Sequence, residues 1–482
     1  MTDAPLTLTQ LMPALPEIYL AAAICVLLMF DVFFGLKKPG RTASFALLLL
    51  VGGAAITVAT SRFGTSSRVF DGLYVADDLG ILLKLAGFLF VAVALYYSNG
   101  YLARRGLQKG EYYVLTLTAL LGILVLGAAG SLLTVYIGIE LLSLSLYALV
   151  AFDRDNGVAA EAAMKFFVLG SIASGTLLYG MSLVYGLTGT LDLRGVAAAL
   201  SGEPSLGLIL GLAFIVAATA FKFGAAPFHM WVPDVYTGAP TSVTLLVATA
   251  PKLASFALAF RLLAEGLGPV SQSWTQMLAI VAMLSLALGN VVAIAQTSLT
   301  RMLAYSAIAN VGFILLGFVA GTPAGYQAAL YYTLAYLAMV LGAFGVILLA
   351  SRDGFEADQL EHYKGLHARD PSLAVIMAVL MFSTAGIPPF VGFWAKLAVL
   401  QALLDAGHVG LAIATVALSV IGAFYYLRIV WLMYFEAPGS LPGAVGRPAV
   451  RLVLALNTVA VVGFGLLPDG LLALCRQVIP GL

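Results

Sequence analysis

Apolar segments long enough to cross a lipid bilayer recur along the whole chain, and they limit its fold more than any other feature. A helix needs about 17 to 25 residues to span the hydrocarbon core, and runs of that length alternate with short polar breaks. Hydrophobic residues make up 62% of the 482 residues and charged residues 10%, whereas about a quarter of the residues of a soluble domain are charged. The sequence therefore predicts an integral membrane protein without a soluble domain.

Fourteen membrane spans are predicted, and all of them are predicted to be helices. Continuous apolar runs satisfy their backbone hydrogen bonds within a helix, whereas the strands of a membrane barrel alternate apolar and polar residues. The predicted fold class is thus an all-α polytopic membrane protein. The predicted spans are 16–35, 43–61, 79–98, 112–128, 131–151, 160–187, 206–230, 240–263, 275–296, 301–320, 325–350, 372–403, 408–434 and 448–468.

The basic residues predict which end of the bundle faces the cytoplasm. The first ten residues lack the basic region of a cleaved signal peptide, so the first span is expected to stay, with an outside amino terminus. This orientation agrees with the positive-inside bias, and an even number of spans returns the carboxyl terminus to the outside. Its inside loops carry Lys37, Lys38, Arg41, Arg104, Arg105, Lys109, Arg154, Arg301, Arg352, Lys364, Arg369, Arg447 and Arg451, and its outside loops carry Arg62, Arg68, Arg194, Arg261 and Arg476.

Residues that bind cofactors are scarce in this sequence. Cys25 and Cys475 are far apart in apolar surroundings, which predicts neither an iron–sulfur cluster nor a disulfide framework. His362 and His367 share a polar loop, where a solvated surface is favoured over a metal site. No glycine-rich nucleotide-binding motif is present. We therefore expect no cofactor or metal in this chain.

Several charged residues fall inside the predicted spans, and their depth separates them into two groups. Lys84 and Arg428 lie near span ends, where a long side chain can extend to the interface. Lys165, about five residues into its span, is a borderline case that either extends to the interface or faces the protein interior. Lys252 lies about 18 Å deep, near the middle of a hydrocarbon core of about 30 Å.

Three further ionisable residues, Glu140, Lys222 and Lys396, are also too deep to reach water easily. Because an isolated intramembrane charge costs several kcal/mol, these three and Lys252 indicate function rather than structure.

Two spans contain prolines beside a lysine. Pro227 and Pro233 interrupt one predicted span, and Pro388 and Pro389 interrupt another. Each proline removes a backbone donor, and such interrupted helices persist in membranes only around hydrated or protein-lined cavities. The stretches GAAPFHMW, from Gly224, and GIPPFVGFW therefore predict two matched helix breaks.

The matched breaks predict an internal repeat. If helices 4–8 form one unit (112–264) and helices 9–13 form another (265–435), the break falls in the fourth helix of each. Because five is odd, consecutive units have opposite orientations, which gives an inverted repeat of the kind found in transporters. An N-terminal three-helix segment (1–111) precedes them, and a C-terminal helix (436–482) follows. The alternative, in which the prolines only kink two helices, does not explain the neighbouring lysines.

At these residues the chain resembles the antiporter-like membrane subunits of respiratory complex I. Five stretches in order carry the resemblance: TVYIGIELLSLSLYAL, EAAMKFFVLGSIASGTLLYG, FKFGAAPFHMWVPDVYTGAPTSV, LTRMLAYSAIANVGF and STAGIPPFVGFWAK. The resemblance implies proton translocation across a bacterial inner membrane. It assigns the transfer of protons to Glu140, Lys222, Lys252 and Lys396, at positions matching the family's residues in spans five, seven, eight and twelve.

Burial disfavours a lysine cation and a nearby carboxylate favours it, so an acid–lysine pair can act as a switch. Spacing along the chain leaves open whether Glu140 pairs with Lys222 or with Lys165. One departure from the family is Asn310, where relatives often have a histidine and this chain has a side chain that cannot titrate. Hydrated hydroxyls are therefore expected to bridge the second half, or else to serve only in packing: Tyr305, Ser306, Tyr332, Thr333 and Tyr336.

The resemblance also implies partners. FMN, iron–sulfur clusters and quinone are expected in partner subunits, and the other antiporter-like subunits and small membrane subunits are expected to contact this chain in the bilayer. A subunit of a multisubunit cation/proton antiporter or of a membrane-bound hydrogenase is the alternative, because both share the lysines and the interrupted helices. A purely structural scaffold would not need four deep charges. No nucleic acid is expected to bind.

Overall fold

The structure, a computed structural model, describes residues 11–35, 39–200, 202–352, 354–438 and 448–480. Of the basic residues used to predict the orientation, Lys37, Lys38 and Arg447 lie outside the described residues. The described chain is almost entirely helical, and 13 of its helices are long and apolar enough to cross a membrane. The predicted fold class is therefore confirmed.

The α-helices are α1 (Leu15–Phe30), α2 (Pro39–Thr60), α3 (Asp78–Arg104), α4 (Gly110–Gly127), α5 (Leu132–Val150), α6 (Gly157–Thr188), α7 (Leu193–Ala199), α8 (Leu206–Phe223), α9 (Trp231–Gly238), α10 (Thr241–Leu258), α11 (Ser271–Ile294), α12 (Leu299–Val319), α13 (Pro323–Ala350), α14 (Leu366–Arg369), α15 (Pro371–Ala385), α16 (Val391–Asp405), α17 (Val409–Phe435), α18 (Pro448–Leu466) and α19 (Pro468–Val478). Segments of 3-10 helix occupy Met12–Ala14, Gly268–Val270 and Leu360–Tyr363, and π-helical segments extend α1 over Asp31–Gly35 and α10 over Ala259–Gly266. Strands β1 (Ser67–Val69) and β2 (Tyr74–Ala76) form an antiparallel pair.

The span predicted at 372–403 consists of two helices, α15 and α16, of 15 residues each. Together with the 13 long helices, this interrupted pair accounts for all fourteen predicted spans. The described chain has one helix more than expected after the last span, because α19 follows α18 directly.

Both helix breaks are present and have the same backbone geometry. Helix α8 ends before Gly224 (φ 77°) and α15 ends before Gly386 (φ 89°), and both glycines are left-handed. The amide of Ala225 donates to Ala220 O at 2.8 Å, and that of Ile387 donates to Phe382 O at 3.0 Å. This is the Schellman arrangement, in which a glycine without a Cβ takes the left-handed position.

The glycines therefore terminate the helices, and the prolines lie just after these helix ends. Pro233 does not interrupt a helix at all, contrary to the sequence prediction, because it is the third residue of α9. The first-turn amides of a helix have no intrahelical partner, so a proline there removes nothing.

Polar side chains fix the starts of the helices that carry the candidate residues. Ser131 accepts a hydrogen bond from the backbone of α5, Asn156 from α6, Ser205 from α8 and Ser298 from α12. Such N-caps satisfy amides that the helix itself leaves unpaired. Each cap lies in a connection between two spans, so the capping residue helps to set where each helix begins.

Three helices form the centre of the bundle. Buried residues make up 100% of the most apolar stretch of α10 and its π extension, and 94% of the corresponding stretches of α12 and α13. In α1 and α18 the share is 22%. The central helices thus have protein on every side, and the outer helices present large apolar side chains to lipid or to neighbouring subunits.

Arg261 is not in an external loop as the sequence predicted. It lies in the π-helical extension of α10 and is fully buried. Its guanidinium donates to both oxygens of Asp77 at 2.7 Å and to Glu265 Oε1 at 2.8 Å. Burial alone would raise the pKa of Asp77, but the Arg261 charge and its hydrogen bonds lower it below its usual value. These bonds tie the end of α10 to the start of α3.

Candidate functional site

Glu140 and Lys222 form an ion pair between helices α5 and α8. Lys222 Nζ lies 3.6 Å from Glu140 Oε1, and the side chains are 6% and 21% exposed, respectively. Lys222 is the penultimate residue of α8, at the first helix break. The structure therefore answers the question of which lysine faces Glu140, and it does so in favour of Lys222.

Two serines that were not predicted from the sequence contact this pair: Ser174 binds both members, and Ser143 binds the lysine. Lys222 Nζ donates to Ser143 Oγ at 2.9 Å and to Ser174 Oγ at 3.0 Å. Ser174 Oγ in turn donates to Glu140 Oε1. The carboxylate and the ammonium are thus connected through a hydroxyl as well as directly. Ser174 comes from α6, so no sequence spacing points to it, whereas Ser143 lies three residues after Glu140 on α5, where helical spacing was an available signal.

Lys165 is not a partner of Glu140, which corrects the second alternative. Its Nζ lies 2.8 Å from Glu161 Oε1 and 2.8 Å from Asp234 Oδ2, and its side chain is 45% exposed. Asp234 also contacts Arg301 at 3.2 Å. Lys165 lies on the outer surface of α6, one turn after Glu161. Because it is close to the start of this helix, its side chain reaches the acids at the helix end rather than Glu140.

Lys252 lies at the centre of the bundle on α10 and is 1% exposed. Its Nζ donates to the carbonyl of Phe223 at 2.5 Å, and it lies 5.9 Å from the centroid of the Trp231 ring. Phe223 is the last residue of α8, so the ammonium binds the helix end that the break exposes. A helix C-terminus carries partial negative charge and unpaired carbonyls, and both stabilise a cation.

Lys396 occupies the corresponding place at the second break. Its Nζ donates to the carbonyl of Ala385, the last residue of α15, at 2.8 Å and to Ser419 Oγ at 3.1 Å. The ring centroid of Phe313 lies 5.2 Å away. Within the described part of the chain, neither Lys252 nor Lys396 forms an ion pair. Both lysines therefore depend on a helix end and an aromatic ring for stabilisation.

A cluster of neutral polar groups lies between α12, α13 and α17 in the second half. Tyr332 donates to Asn310 Oδ1 at 2.7 Å, and Asn310 Nδ2 donates to Tyr426 OH at 3.1 Å. The hydroxyls of Tyr426 and Ser306 are 2.5 Å apart. The sequence analysis included Ser306 and Tyr332 but missed Tyr426.

Other hydroxyls that were named as candidates do not join this cluster directly. Thr333 donates to Ala329 O within its own helix at 2.8 Å, which is a packing role. Tyr305 is partly buried, and Tyr336 is 1% exposed. The structure therefore joins only part of the proposed set through hydrogen bonds.

Lys84 does not extend to the interface as the sequence predicted. It is 3% exposed, and its Nζ lies 2.7 Å from Glu17 Oε1 and 2.5 Å from Tyr74 OH. The Tyr74 hydroxyl also lies 3.1 Å from Glu17 Oε2. Arg428, by contrast, extends to a span end, where it donates to Ile294 O at 3.0 Å.

A half-buried acid outside the spans fixes the start of the helix that carries Lys252. Glu356, in the connection after α13, accepts hydrogen bonds from Tyr101 at 3.2 Å and from Thr241 at the start of α10, and it pairs with Arg105. Burial raises the pKa of Glu356, while the Thr241 hydroxyl and the Arg105 charge oppose that rise. Glu356 thus links α3 to α10.

Comparisons with known proteins agree with this architecture. Residues 129–422 match the family model described as NADH:quinone oxidoreductase/Mrp antiporter, TM. The chain is 53% identical over 481 residues to NADH-quinone oxidoreductase subunit N of Thiobacillus denitrificans, covering 99% of each. It is 50% identical to subunit N of Thioalkalivibrio sulfidiphilus, covering 97% of this chain and 98% of that one.

Solved structures give the same result. A chain in respiratory complex I from Thermus thermophilus is 32% identical with a TM-score of 0.82, covering 95% of this chain and 98% of that one. A chain of the Mrp complex from Dietzia has a TM-score of 0.83 at 20% identity, covering 97% of each chain, and it shows the shared fold alone.

Proposed function

The chain belongs to the NADH:quinone oxidoreductase/Mrp antiporter family of membrane subunits, and from this premise we propose that it is subunit N in the membrane arm of respiratory complex I. In this role it translocates protons across the bacterial inner membrane, coupled to quinone reduction elsewhere in the complex. It performs no redox step itself. FMN, the iron–sulfur clusters and quinone belong to partner subunits, and other antiporter-like and small membrane subunits adjoin this chain.

One observation carries the proposed proton path: a row of buried lysines begins at an ion pair and continues to lysines that have no acid partner among the described residues. Glu140 and Lys222 begin the path, with Ser143 and Ser174 as hydroxyl bridges. Lys252 follows on the next long helix, at the end of α8. Transfer along such a row needs only N–H and O–H groups with water between them.

The ion pair supplies the switch in this mechanism. While Glu140 lies near Lys222, its charge favours the protonated lysine, and burial opposes it. Movement of the carboxylate away from the lysine removes the favourable part, so the proton leaves towards Lys252. The helix break beside Lys222 provides a place where α8 can adjust without breaking regular hydrogen bonds.

The second half continues the path with neutral groups. Asn310, Tyr332, Tyr426 and Ser306 hold one another by hydrogen bonds, and Lys396 lies at the second break. Asparagine cannot titrate, so a proton passes this point through hydroxyls and water. We further propose that the two five-helix units, 112–264 and 265–435, form the two halves of the path.

Two lysines in the first half provide a matched test. Lys222→Ala should reduce proton pumping and quinone-coupled turnover by at least about tenfold, equivalent to about 1.4 kcal/mol in the barrier. Lys165→Ala, at an exposed side chain on the neighbouring helix, should leave both within about twofold. The measurement is proton pumping by the assembled complex in proteoliposomes, with assembly checked on native gels. Equal tolerance of the two substitutions would contradict the proposed path.

Co-purified partners separate this function from the alternatives. Flavin, iron–sulfur and quinone-reducing subunits in the isolated complex support the proposed function, and nickel–iron subunits would instead indicate a hydrogenase. A complex without redox subunits would indicate a cation/proton antiporter.

We also propose that both termini face the periplasm, because basic residues concentrate at the opposite end of the bundle. A cysteine placed at Lys109 should then react only with a reagent applied from the cytoplasmic side. A cysteine at Arg194 should react only from the periplasmic side. The reverse pattern would overturn the orientation.

A further inference from the structure

A small cavity lies between Lys222 and helix α10. Its volume is about 20 Å³, and side chains from α5, α6, α8, α9 and α10 line it. A water molecule needs about 10–15 Å³ of such volume, so the cavity is large enough for one water molecule. Its polar lining consists of Ser143, Tyr147, Lys222, Trp231 and Ser255.

Ser255, on α10, is a polar residue of the cavity lining in addition to Lys222. The residue is 1% exposed, and its hydroxyl has no hydrogen-bond partner among the residues that the structure describes. Buried hydroxyls are nearly always hydrogen-bonded to protein or to ordered water. A water molecule in the cavity supplies the partner that Ser255 needs.

Lys222 has an N–H group available for the same water. Two of its three donors bind Ser143 and Ser174 at 2.9 and 3.0 Å. The third lies beside Glu140 Oε1, but the N to O distance of 3.6 Å is longer than a hydrogen bond. Water in the cavity therefore has a donor on one side and the unpaired Ser255 hydroxyl on the other.

Ser255 lies three residues after Lys252 on α10, so the two side chains are neighbours on one helix face. We propose that the cavity is a single-water site between Lys222 and Ser255, and that this water carries protons from the ion pair towards Lys252. The inference rests on the proposed function and adds a specific residue to it. In this step Lys222 gives a proton to the water, and the water gives one of its own protons to Ser255. Ser255 in turn gives its hydroxyl proton to neutral Lys252, so Lys222 loses one proton and Lys252 gains one.

The test compares two buried serines of α10, of which only Ser255 lines the cavity. Ser242 is also buried with an unpaired hydroxyl among the described residues, but it does not line the cavity. Ser255→Ala should lower proton pumping by the assembled complex about tenfold, which corresponds to one lost hydrogen bond in the path. Ser242→Ala should stay within about twofold. Turnover in D2O relative to H2O should fall further in Ser255→Ala than in the wild type, a change that a purely structural role of Ser255 would not produce.

Two further measurements decide the matter if Ser255→Ala assembles poorly. Ser255→Cys keeps the side-chain size but offers only a weak donor, so it should pump less than the wild type. A cryo-EM map of the intact complex that resolves waters should show one within hydrogen-bond distance of Ser255 Oγ and Lys222 Nζ. A dry cavity, or wild-type pumping by Ser255→Cys, overturns the inference.

The outcomes also separate this inference from the proposed function. Normal pumping by Ser255→Ala together with failure of Lys222→Ala overturns the water site and leaves the proposed function intact. Normal pumping by both variants contradicts the proposed function itself.

Discussion

Among the described residues, two glutamate–lysine pairs lie enclosed within the spans, and they differ in how tightly each is held. In the N-terminal helices, Glu17 and Lys84 are 2.7 Å apart with side chains 9% and 4% exposed. In the central unit, Glu140 and Lys222 are 3.6 Å apart with side chains 21% and 6% exposed. The first pair is closer and more completely enclosed than the second.

The surroundings explain the difference. The Tyr74 hydroxyl accepts from Lys84 and lies 3.1 Å from Glu17 Oε2, and it is itself anchored by donating to Pro13 O at 2.7 Å, so it holds both members of the first pair in place. In the second pair, Ser174 binds both groups and Ser143 offers the lysine a further acceptor. A lysine with alternative hydroxyl partners can lose its carboxylate and remain hydrogen-bonded. An acid–lysine pair is therefore structural or switchable according to what else the lysine can bind.

The largest effect is expected at the tight pair. Lys84→Ala leaves the Glu17 charge buried without its partner, which costs about 3–5 kcal/mol of stability. Assembly of the complex on native gels and the thermal unfolding temperature measure this loss. This replaces the expectation from the sequence alone, under which Lys84 near a span end would be dispensable.

A double substitution is the control for Lys84→Ala. Glu17→Gln with Lys84→Met removes both charges and should recover much of the stability, because replacing a buried ion pair as a whole is often neutral. Pumping per assembled complex should then be near normal. If assembled Lys84→Ala complexes pumped poorly, the tight pair would belong to the proton path and the comparison would fail.

Lys252 extends the comparison to a lysine that has no acid partner in the part of the chain that the structure describes. Lys252→Ala should reduce pumping by about a hundredfold, equivalent to about 2.7 kcal/mol in the barrier, because it removes the group that receives the proton from Lys222 in the proposed path. Lys252→Arg tests whether pumping needs only a positive charge at this position or a group that can release its proton. Arginine keeps the charge but does not release its proton. We expect both variants to fail in proteoliposome assays. Normal pumping by Lys252→Arg would show that only the charge is needed.

Depth along a helix was predictable from the sequence, and side-chain partners were not. Counting residues from a span end placed Lys252 and Lys222 in the bundle interior, since the rise per residue is fixed. The same count failed for Lys84, because its partner Glu17 is on another helix and no spacing rule connects them. Ser174 and Tyr426 were missed for the same reason.

For the helix breaks too, one part could be predicted from the sequence and another could not. Prolines in the sequence predicted both interruptions, but the residues that end the helices are Gly224 and Gly386, which take the left-handed conformation. The repeat of glycine before proline at both sites was the available signal. The left-handed conformation by which each glycine ends its helix is visible only in the folded backbone.

The loose pair itself is tested by changing charge without changing shape. If the carboxylate holds Lys222 protonated, Glu140→Gln should lower pumping about tenfold, nearly as much as Glu140→Ala, while Glu140→Asp should retain a substantial part. Proton pumping is measured after assembly has been verified. Glutamine would serve almost as well as glutamate if Glu140 only satisfied hydroxyl donors such as Ser174. Near-normal pumping by Glu140→Gln would therefore assign the switch to another group.

The smallest effect is expected in the second half, where hydroxyls replace the ion pair. Tyr332→Phe removes the donor to Asn310 Oδ1 but keeps the ring stacked on Phe313. One lost neutral hydrogen bond costs about 1 kcal/mol. Because Asn310 also bonds Tyr426, and Ser306 bonds Tyr426 in turn, the cluster keeps other routes for a proton. Pumping by Tyr332→Phe should therefore fall by no more than about twofold in the assembled complex. A loss as large as that of Lys252→Ala would mean that the second half has a single path through Tyr332, and that its neutral hydroxyls are as indispensable as the charges of the first half.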